Sequence, residues 1–487
     1  MQFADHRASL LAVGGAAGVS VALGVVVPAL TGLNFEPWAW WIGVLGLAVF
    51  PPLVIWKAVR ADDSLSLISL ASGFWIVEFL AGGVFYREPR ADSALTGLRN
   101  AYTATDLKVA MLIAFGAWVM LVAGYFWASW LRGLRRTRRP RLTTGEIAPV
   151  AVVLLIAGWL ARIESYRRGW YFHIDATGQA AQASTLRQVV TITADLPLIA
   201  TTLLAAAYYA GRARGWWLLV LILGELVWAV PSGGRFNIIA LGIALIVVRY
   251  YASPKKMPVR QAAIAAVLAV FVVFPLFAFY RGADVGSTNI NYQASPVENL
   301  KRAADTYVGL GPAGIIDAGY TETFRRFVGP TPLAAINRYG REPYPTTGTE
   351  AVMSWVGGFI PRTLLPTKSD PSNVANVFAQ HYNIVRAQIK ASYATITVPG
   401  DLYGSFGIPL MLIGMLVIGA LLRGLDEWFY DRRTNPAMLA IYATFCTGLV
   451  LGIESTVAVG PIQSLRELLV YVVAVLGARE LVRVVRA

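Results

Sequence analysis

The sequence predicts an all-α polytopic membrane protein with about twelve transmembrane helices, and three observations lead to that prediction. The 487 residues are 56% hydrophobic and only 14% charged, with a mean hydropathy of +0.56, which no ordinary soluble domain shows. Apolar runs of about twenty residues, enough to cross a hydrocarbon core about 30 Å thick, recur along the whole chain. Arginine and lysine collect in every second connection between these runs. The chain therefore has no separate soluble body.

Hydropathy places the helices in order along the chain. The expected spans are 9–31, 37–57, 64–84, 107–131, 146–162, 190–211, 215–231, 233–250, 260–280, 402–423, 436–453 and 462–482. The first run, Ala8 to Leu30, is longer than a signal-peptide core and lacks a convincing cleavage site, so we expect it to be retained. The chain then divides into helices one to nine (1–280), a large partly helical extracytoplasmic loop (281–401) and helices ten to twelve (402–487).

The basic connections orient the helices, because short cytoplasmic loops retain lysine and arginine. They follow helices two, four, six, eight and ten, and further arginines close the chain. In order they are Lys57 and Arg60; Arg132, Arg135, Arg136, Arg138, Arg139 and Arg141; Arg212 and Arg214; Arg249, Lys255, Lys256 and Arg260; Arg432 and Arg433; and Arg479, Arg483 and Arg486. Both termini are therefore expected to be cytoplasmic, in a multi-pass protein of the bacterial cytoplasmic (inner) membrane.

Charge and cysteine usage exclude several partners. The net charge of +14 does not indicate a nucleic-acid partner, because the basic residues lie between apolar runs and not on one soluble face. The arginine run at 132–141 fits an anchor against anionic membrane lipid. The one cysteine, Cys446, lies inside an apolar run, so neither a disulfide framework nor a thiolate metal site is expected within the chain.

The segment from Arg281 to Asp401 is where the sequence directs a search for function. By the same alternation it lies on the non-cytoplasmic side, and it combines charges of both signs with tyrosines and prolines. Short amphipathic stretches at 296–310 and 350–360 predict helices lying on the membrane or over a cavity.

Four cations at this side are candidates for binding an anion. Arg235 follows two glycines, and only thirteen residues separate it from Arg249, too few for a full crossing, so it is expected in the outer part of the membrane. Arg281 ends helix nine, and Arg362 and Lys368 follow in the loop. Long loops are not subject to the positive-inside rule, and a polyanionic substrate would explain these cations. The alternatives are snorkelling of Arg235 to the headgroups and salt bridges to loop carboxylates.

Acidic residues also occur near or within the spans. Glu78, Asp195 and Glu225 are expected to be structural ion-pair partners, because an unpaired charge in hydrocarbon costs several kcal/mol.

Three stretches resemble the O-antigen polymerase (Wzy-like) or oligosaccharide repeat-unit polymerase family, which is related in architecture to the O-antigen ligases. They are Gly233–Gly234–Arg235 opening a helix, Ile360–Pro361–Arg362 running to Lys368, and Pro399–Gly400–Asp401–Leu402–Tyr403–Gly404–Ser405–Phe406–Gly407 opening helix ten. The likeness covers roughly 230 to 420, and the first two hundred residues match only in hydropathy.

The resemblance implies a metal-independent glycosyltransferase with a GT-C-like helical core and no cofactor. Its substrate would be an undecaprenyl-diphosphate-linked oligosaccharide at the outer face of the cytoplasmic membrane, and a flippase and a chain-length regulator would be its partners. Arg235, Arg281 and Arg362 would bind the diphosphate, with Lys368 assisting, since arginines can stabilise a departing diphosphate without a metal.

The acceptor hydroxyl needs a base, and His381 and Asp401 are the candidates on this side. Each has another interpretation: His381 as a solvated loop residue, and Asp401 as the N-cap of helix ten. Tyr382 and Tyr403 are candidates for stacking on sugar rings, or for packing.

Two other functions stay open. A polysaccharide ligase would share the donor chemistry. A twelve-helix transporter or lipid flippase would share the layout, although the sequence shows neither the internal repeat nor the central cytoplasmic linker typical of transporters. No metal-binding Asp-x-Asp or His-Glu-x-x-His motif and no phosphate-binding glycine loop occurs in a plausible context.

Overall fold

A computed structural model describes residues 36–61, 63–85, 102–136, 141–168, 170, 185–229, 235–253, 269–280, 296–324, 329–339, 347–360, 371–384 and 396–486. These residues are nearly all helical, and no strand occurs among them. The α-helices are α1 Glu36–Arg60, α2 Leu67–Trp75, α3 Gly82–Phe85, α4 Ala104–Trp127, α5 Thr144–Arg167, α6 Thr185–Thr193, α7 Leu196–Tyr209, α8 Gly215–Ala229, α9 Arg235–Ala252, α10 Phe274–Tyr280, α11 Pro296–Gly309, α12 Gly311–Phe324, α13 Pro330–Tyr339, α14 Thr347–Phe359, α15 Pro371–His381, α16 Val398–Trp428, α17 Pro436–Gly452 and α18 Gln463–Arg486. Ile76–Ala81, Ala269–Val273 and Ala458–Ile462 are π-helical, and Ala128–Arg136 is a 3₁₀ extension of α4.

Six helices among the described residues are long and apolar enough to cross a membrane: Trp38–Arg60, Leu67–Val84, Ala104–Arg135, Thr144–Arg167, Leu186–Tyr209 and Val398–Trp428. Shorter apolar helices at Gly215–Ala229, Asn237–Ala252 and Pro436–Leu449 coincide with three other predicted spans. The protein is thus a multi-pass helical membrane protein, and the count of twelve stays a prediction. The expected first helix, 9–31, lies outside the described residues.

The segment 281–401 is helical where it is described, and part of it belongs to the bundle. Its five helices, α11 to α15, include the predicted stretches 296–310 and 350–360. Residues 330–336 of α13 are all buried, and α13 packs along α4. This part of the segment therefore does not form a free loop.

The bundle is centred on α4 and α16, which cross at very short distance. A Cβ added to Gly124 would lie 1.9 Å from the carbonyl oxygen of Leu416, and one added to Gly419 would lie 1.9 Å from that of Leu121. Small residues at such a crossing let two backbones touch, which is how helices gain packing energy in a membrane. This contact fixes the position of α16, on whose first turns the candidate site lies.

The outer faces of the helices are apolar, as lipid contact requires. On α1, Trp38, Trp41, Leu45, Val49, Leu53 and Trp56 are each about half exposed or more. Val152, Ile156, Leu160 and Ile163 form a similar exposed row on α5. Side chains of this kind spaced at three and four residues cover one face of a helix.

The connections predicted to be cytoplasmic and the helix ends beside them meet at one end of the bundle, here named the basic end (described residues 57–61, 63–66, 128–136, 141–146, 210–214, 249–253, 423–435 and 479–486). Arg432 from the connection after α16 donates to Asp63 from the connection after α1, at 2.8 and 2.9 Å. Tyr251 at the end of α9 donates to the same carboxylate at 2.6 Å. The grouping matches the predicted alternation, whereas the side of the membrane that this end faces stays a prediction.

Candidate functional site

The candidate site is the junction at which the segment between helices nine and ten returns to the bundle. Here α16 begins, and its N-cap is Thr397, whose Oγ1 accepts the N–H of Gly400 at 3.2 Å. The sequence suggested Asp401 as the N-cap of this helix, but the helix starts four residues earlier than the predicted 402. Asp401 therefore lies within the first turn.

The carboxylate of Asp401 bonds a different helix. Its Oδ2 accepts the backbone N–H of Val457 at 2.8 Å, and its Oδ1 accepts the hydroxyl of Ser405 at 3.4 Å. Only 5% of the residue is exposed. Val457 immediately precedes the π-helix Ala458–Ile462, and its backbone donor has no partner in the preceding turn, so the carboxylate satisfies it.

Two backbone hydrogen bonds reinforce this connection. The N–H groups of Thr397 and Val398 donate to the carbonyls of Glu454 and Ile453, each at 2.9 Å. The start of α16 is thus bonded along the interruption between α17 and the last helix. Side chain and backbone together fix the angle at which α16 leaves the junction.

Helix α15 packs on the same turns of α16. Tyr382 is fully buried, and its hydroxyl donates to the carbonyl of Gly404 at 3.0 Å. A Cβ on Gly404 would lie 2.4 Å from the ring of Phe378, so the close approach requires glycine there. His381 stands edge-on to the Tyr382 ring, with 4.8 Å between ring centroids, and is itself exposed.

A chain of polar contacts joins α16 to α13 and α4. The hydroxyl of Tyr403 donates to Asn337 Oδ1 at 3.4 Å, and Asn337 Nδ2 donates to Asp106 Oδ1 at 2.9 Å. The other oxygen of Asp106 accepts the N–H and the hydroxyl of Thr103, at 2.8 and 2.6 Å. Neither Asp106 nor Asn337 was predicted from the sequence. The Thr103-x-x-Asp106 pattern is a capping-box signal that could have shown the first, whereas nothing local indicates the second.

Gly407 separates these turns from the rest of α16. Its φ of +78° and ψ of 174° are not helical, a conformation that is open mainly to glycine. Pro409 follows and lacks a backbone donor. The direction of the turn that carries Asp401 and Tyr403 is therefore set independently of the long transmembrane part of the helix.

The predicted anion-binding cations are described only in part. Arg235 is the first residue of α9, as expected for a motif that opens a helix, but its side chain lies outside the described residues. Arg281, Arg362 and Lys368 also lie outside them. The structure thus brings Asp401, Tyr382 and Tyr403 to one junction with His381 beside them, and the diphosphate assignment stays a prediction.

A second polar cluster lies inside the bundle, where the predicted single helix 190–211 is interrupted between α6 and α7. Arg162 donates from Nε to the carbonyl of Ala194 at 2.9 Å, and from its two terminal nitrogens to both oxygens of Glu225 at 3.0 and 2.7 Å. Both charged residues are buried. The expectation that Glu225 is an ion-pair partner is confirmed. Its partner, Arg162, was not predicted, because Arg162 is the last residue of the predicted span 146–162.

Asp195 occupies the interruption itself, close to Glu467 and Tyr471 of α18. Within the described part of the chain, no group of three or more His, Cys, Asp or Glu side chains is arranged to hold a metal ion. Comparisons with protein-family models, curated proteins and solved structures give no match to this chain.

Proposed function

We propose that the protein is a metal-independent membrane glycosyltransferase that polymerises undecaprenyl-diphosphate-linked oligosaccharide repeat units at the outer face of the cytoplasmic membrane. The observation that carries the proposal is the organisation of residues 399–407. This stretch bears part of the polymerase resemblance, and helices α13 and α15 of the long segment both bond to it. Two flanking helices and the 453–457 interruption converge on these nine residues. Such an arrangement is suited to holding a substrate-binding surface rigid.

The proposed reaction transfers the growing glycan. The acceptor hydroxyl oxygen of the next lipid-linked unit attacks the anomeric carbon of the donor, and the bond from that carbon to the diphosphate oxygen breaks. Undecaprenyl diphosphate leaves with the bonding electron pair, and the hydroxyl proton passes to a base. Arg235, Arg281 and Arg362, with Lys368, stabilise the charge that develops on the diphosphate.

Of the two candidate bases, exposure favours His381. Its ring is accessible at the end of α15, and histidine is the side chain most often used as a general base. Asp401 is buried, and its two oxygens already accept the Val457 and Ser405 donors. In this proposal Asp401 is therefore a positioning residue that holds α16.

The two candidate sugar-binding tyrosines also differ in burial. Tyr382 is fully buried against Phe378, so in the proposal it supports the helix that carries His381. Tyr403 is half-buried, which leaves part of its ring available to stack on a sugar.

The test is the length of surface polysaccharide, measured as a gel ladder in the native host. We expect Arg235→Ala, Arg362→Ala and His381→Gln, at matched expression, to accumulate single-unit products while lipid-linked units still reach the outer face. Arg338→Ala is the matched control, since Arg338 is an exposed cation of the same segment. Unchanged polymer length in the first three variants would contradict the assignment.

Two further readouts separate related activities. A ligase defect would leave long polymer attached to the lipid carrier, whereas a polymerase defect leaves single units. Purified protein given lipid-linked units should retain its activity in the presence of a metal chelator, and a loss of activity restored by a divalent cation would contradict the metal-independent chemistry.

A transporter or lipid flippase is the second candidate, and the interrupted helix α6–α7 favours it. Helices broken at membrane depth beside buried charges are a common feature of transport sites. If this is the function, Asp195→Asn will abolish movement of lipid-linked units across the membrane, and single-unit products will disappear from the outer face. A polymerase would instead leave those units in place.

A further inference from the structure

The exposed charges of the basic end are almost all positive, although acidic residues are present there. The described acids Asp426, Glu427 and Glu146 are buried, whereas Asp63 and Asp431 are half-buried, and Asp63 accepts Arg432 and Tyr251. Glu480 is exposed and pairs with Arg483 at 3.1 Å. The exposed arginines of this end are Arg60, Arg132, Arg135, Arg141, Arg212, Arg214, Arg433, Arg483 and Arg486. Burying the acids and exposing the arginines leaves a surface that attracts anions.

One part of this surface has a defined excess of positive charge. Arg135 and Arg423 both form salt bridges to the carboxylate of Glu427, one to each oxygen. The side chain of Glu427 is 3% exposed, whereas that of Arg135 is 39% exposed. Two guanidinium groups against one carboxylate leave one positive charge, and it is accessible on the Arg135 side.

Two exposed tryptophans precede Arg135 in the same helix end. Trp127 ends α4, Trp130 lies in the 3₁₀ extension, and they are 65% and 70% exposed. Arg132 is exposed two residues further on, and the guanidinium of Arg135 stacks on the Tyr430 ring at 4.1 Å. Tryptophan prefers the headgroup level of a membrane, where its ring is apolar and its N–H is hydrated.

We propose that Trp130, Arg132 and Arg135 bind the phosphodiester headgroup of an anionic phospholipid. The arginines supply charge-assisted hydrogen bonds to the phosphate oxygens, and Trp127 and Trp130 contact the upper part of the acyl chains. The surface ends a membrane-spanning helix, so lipid headgroups are the anions at this level, and the tryptophans favour a lipid over a free phosphate ion. This site does not depend on the function proposed for the opposite end.

The experiment uses the full-length protein in nanodiscs of phosphatidylcholine with increasing phosphatidylglycerol. Native mass spectrometry counts the phosphatidylglycerol molecules retained, and the thermal midpoint of unfolding is followed in parallel. We expect the wild type to retain phosphatidylglycerol and to gain thermal stability with its mole fraction. Trp130→Ala/Arg132→Gln should weaken apparent binding by about five- to tenfold.

Arg338→Gln is the control, because it removes an exposed cation from the opposite end. Arg132→Gln alone keeps the tryptophans and the Glu427 pairs, and it serves if the double variant does not fold. Equal binding by wild type and the Arg132 variant would overturn the proposal, as would an equal gain in stability from inorganic phosphate without the lipid. A change in polysaccharide length bears on the polymerase proposal and not on this one.

Discussion

The carboxylate of Asp401 accepts the backbone N–H of Val457 at 2.8 Å across 56 residues of sequence. The bond joins the first turn of α16 to the π-helix that precedes α18. The two residues lie far apart in the chain, so the junction exists only because α16 and the 453–457 interruption pack together.

Removal of the Asp401 carboxylate should destabilise the fold. In Asp401→Ala the buried N–H of Val457 loses its acceptor, at a cost of about 1–3 kcal/mol. Asp401→Asn keeps an oxygen that can accept this bond, so its loss of stability should be smaller. Thermal unfolding of the purified variants measures both. If Asp401→Asn folds like the wild type but abolishes activity, the carboxylate acts as a base and not as a positioning group.

The crossing of α4 and α16 should not tolerate a side chain larger than hydrogen. In Gly419→Ala or Gly124→Ala the new methyl group meets a backbone carbonyl at 1.9 Å. The helices must then separate, with a cost of at least about 1–3 kcal/mol. Gly477→Ala is the control, because nothing lies within 4 Å of that position. Thermal midpoints that fall equally in all three variants would contradict the close crossing.

The Arg162–Glu225 pair should be strongly non-additive. Arg162→Gln or Glu225→Gln alone leaves one buried charge without its partner, which costs about 3–5 kcal/mol. The double variant removes both charges and should recover part of that loss. A double-mutant cycle on the thermal stabilities measures the coupling. If the loss of stability in the double variant equals the sum of the two single losses, the interaction between Arg162 and Glu225 contributes nothing to stability.

Arg432 should not be replaceable by lysine. Its guanidinium is within 5 Å of the Tyr251 and Tyr442 ring centroids, at 4.8 and 4.6 Å, and its terminal nitrogen bonds Asp63. A lysine ammonium has neither the planar face nor the fork that this arrangement requires. We expect a lower thermal midpoint for Arg432→Lys than for Arg212→Lys, which changes an exposed arginine of the same end. Equal midpoints would indicate that the stacking is energetically neutral.

Helix positions are the part of the fold that local sequence predicted well. The predicted span 436–453 is observed as Pro436–Gly452, and 215–231 as Gly215–Ala229. The interruption of 190–211 was missed although Pro197 marks it, since proline is favoured in the first turn of a helix and disfavoured within one. At the candidate site, the sequence predicted roles for Asp401, Tyr382 and Tyr403 but did not predict the residues that they contact.

The sequence by itself determined that the chain is a multi-pass helical membrane protein, and that its basic connections alternate with apolar runs. Both properties depend on the length and polarity of contiguous segments, and these can be determined from the sequence without knowledge of the folded structure. Only the tertiary structure decided that Asp401 bonds Val457, that Arg162 pairs with Glu225, and that Glu427 receives two arginines. Apart from the Arg423–Glu427 pair within one helix, these pairings join residues 56 to 292 positions apart. They depend on how the helices pack, and packing depends on side-chain shape over the whole bundle.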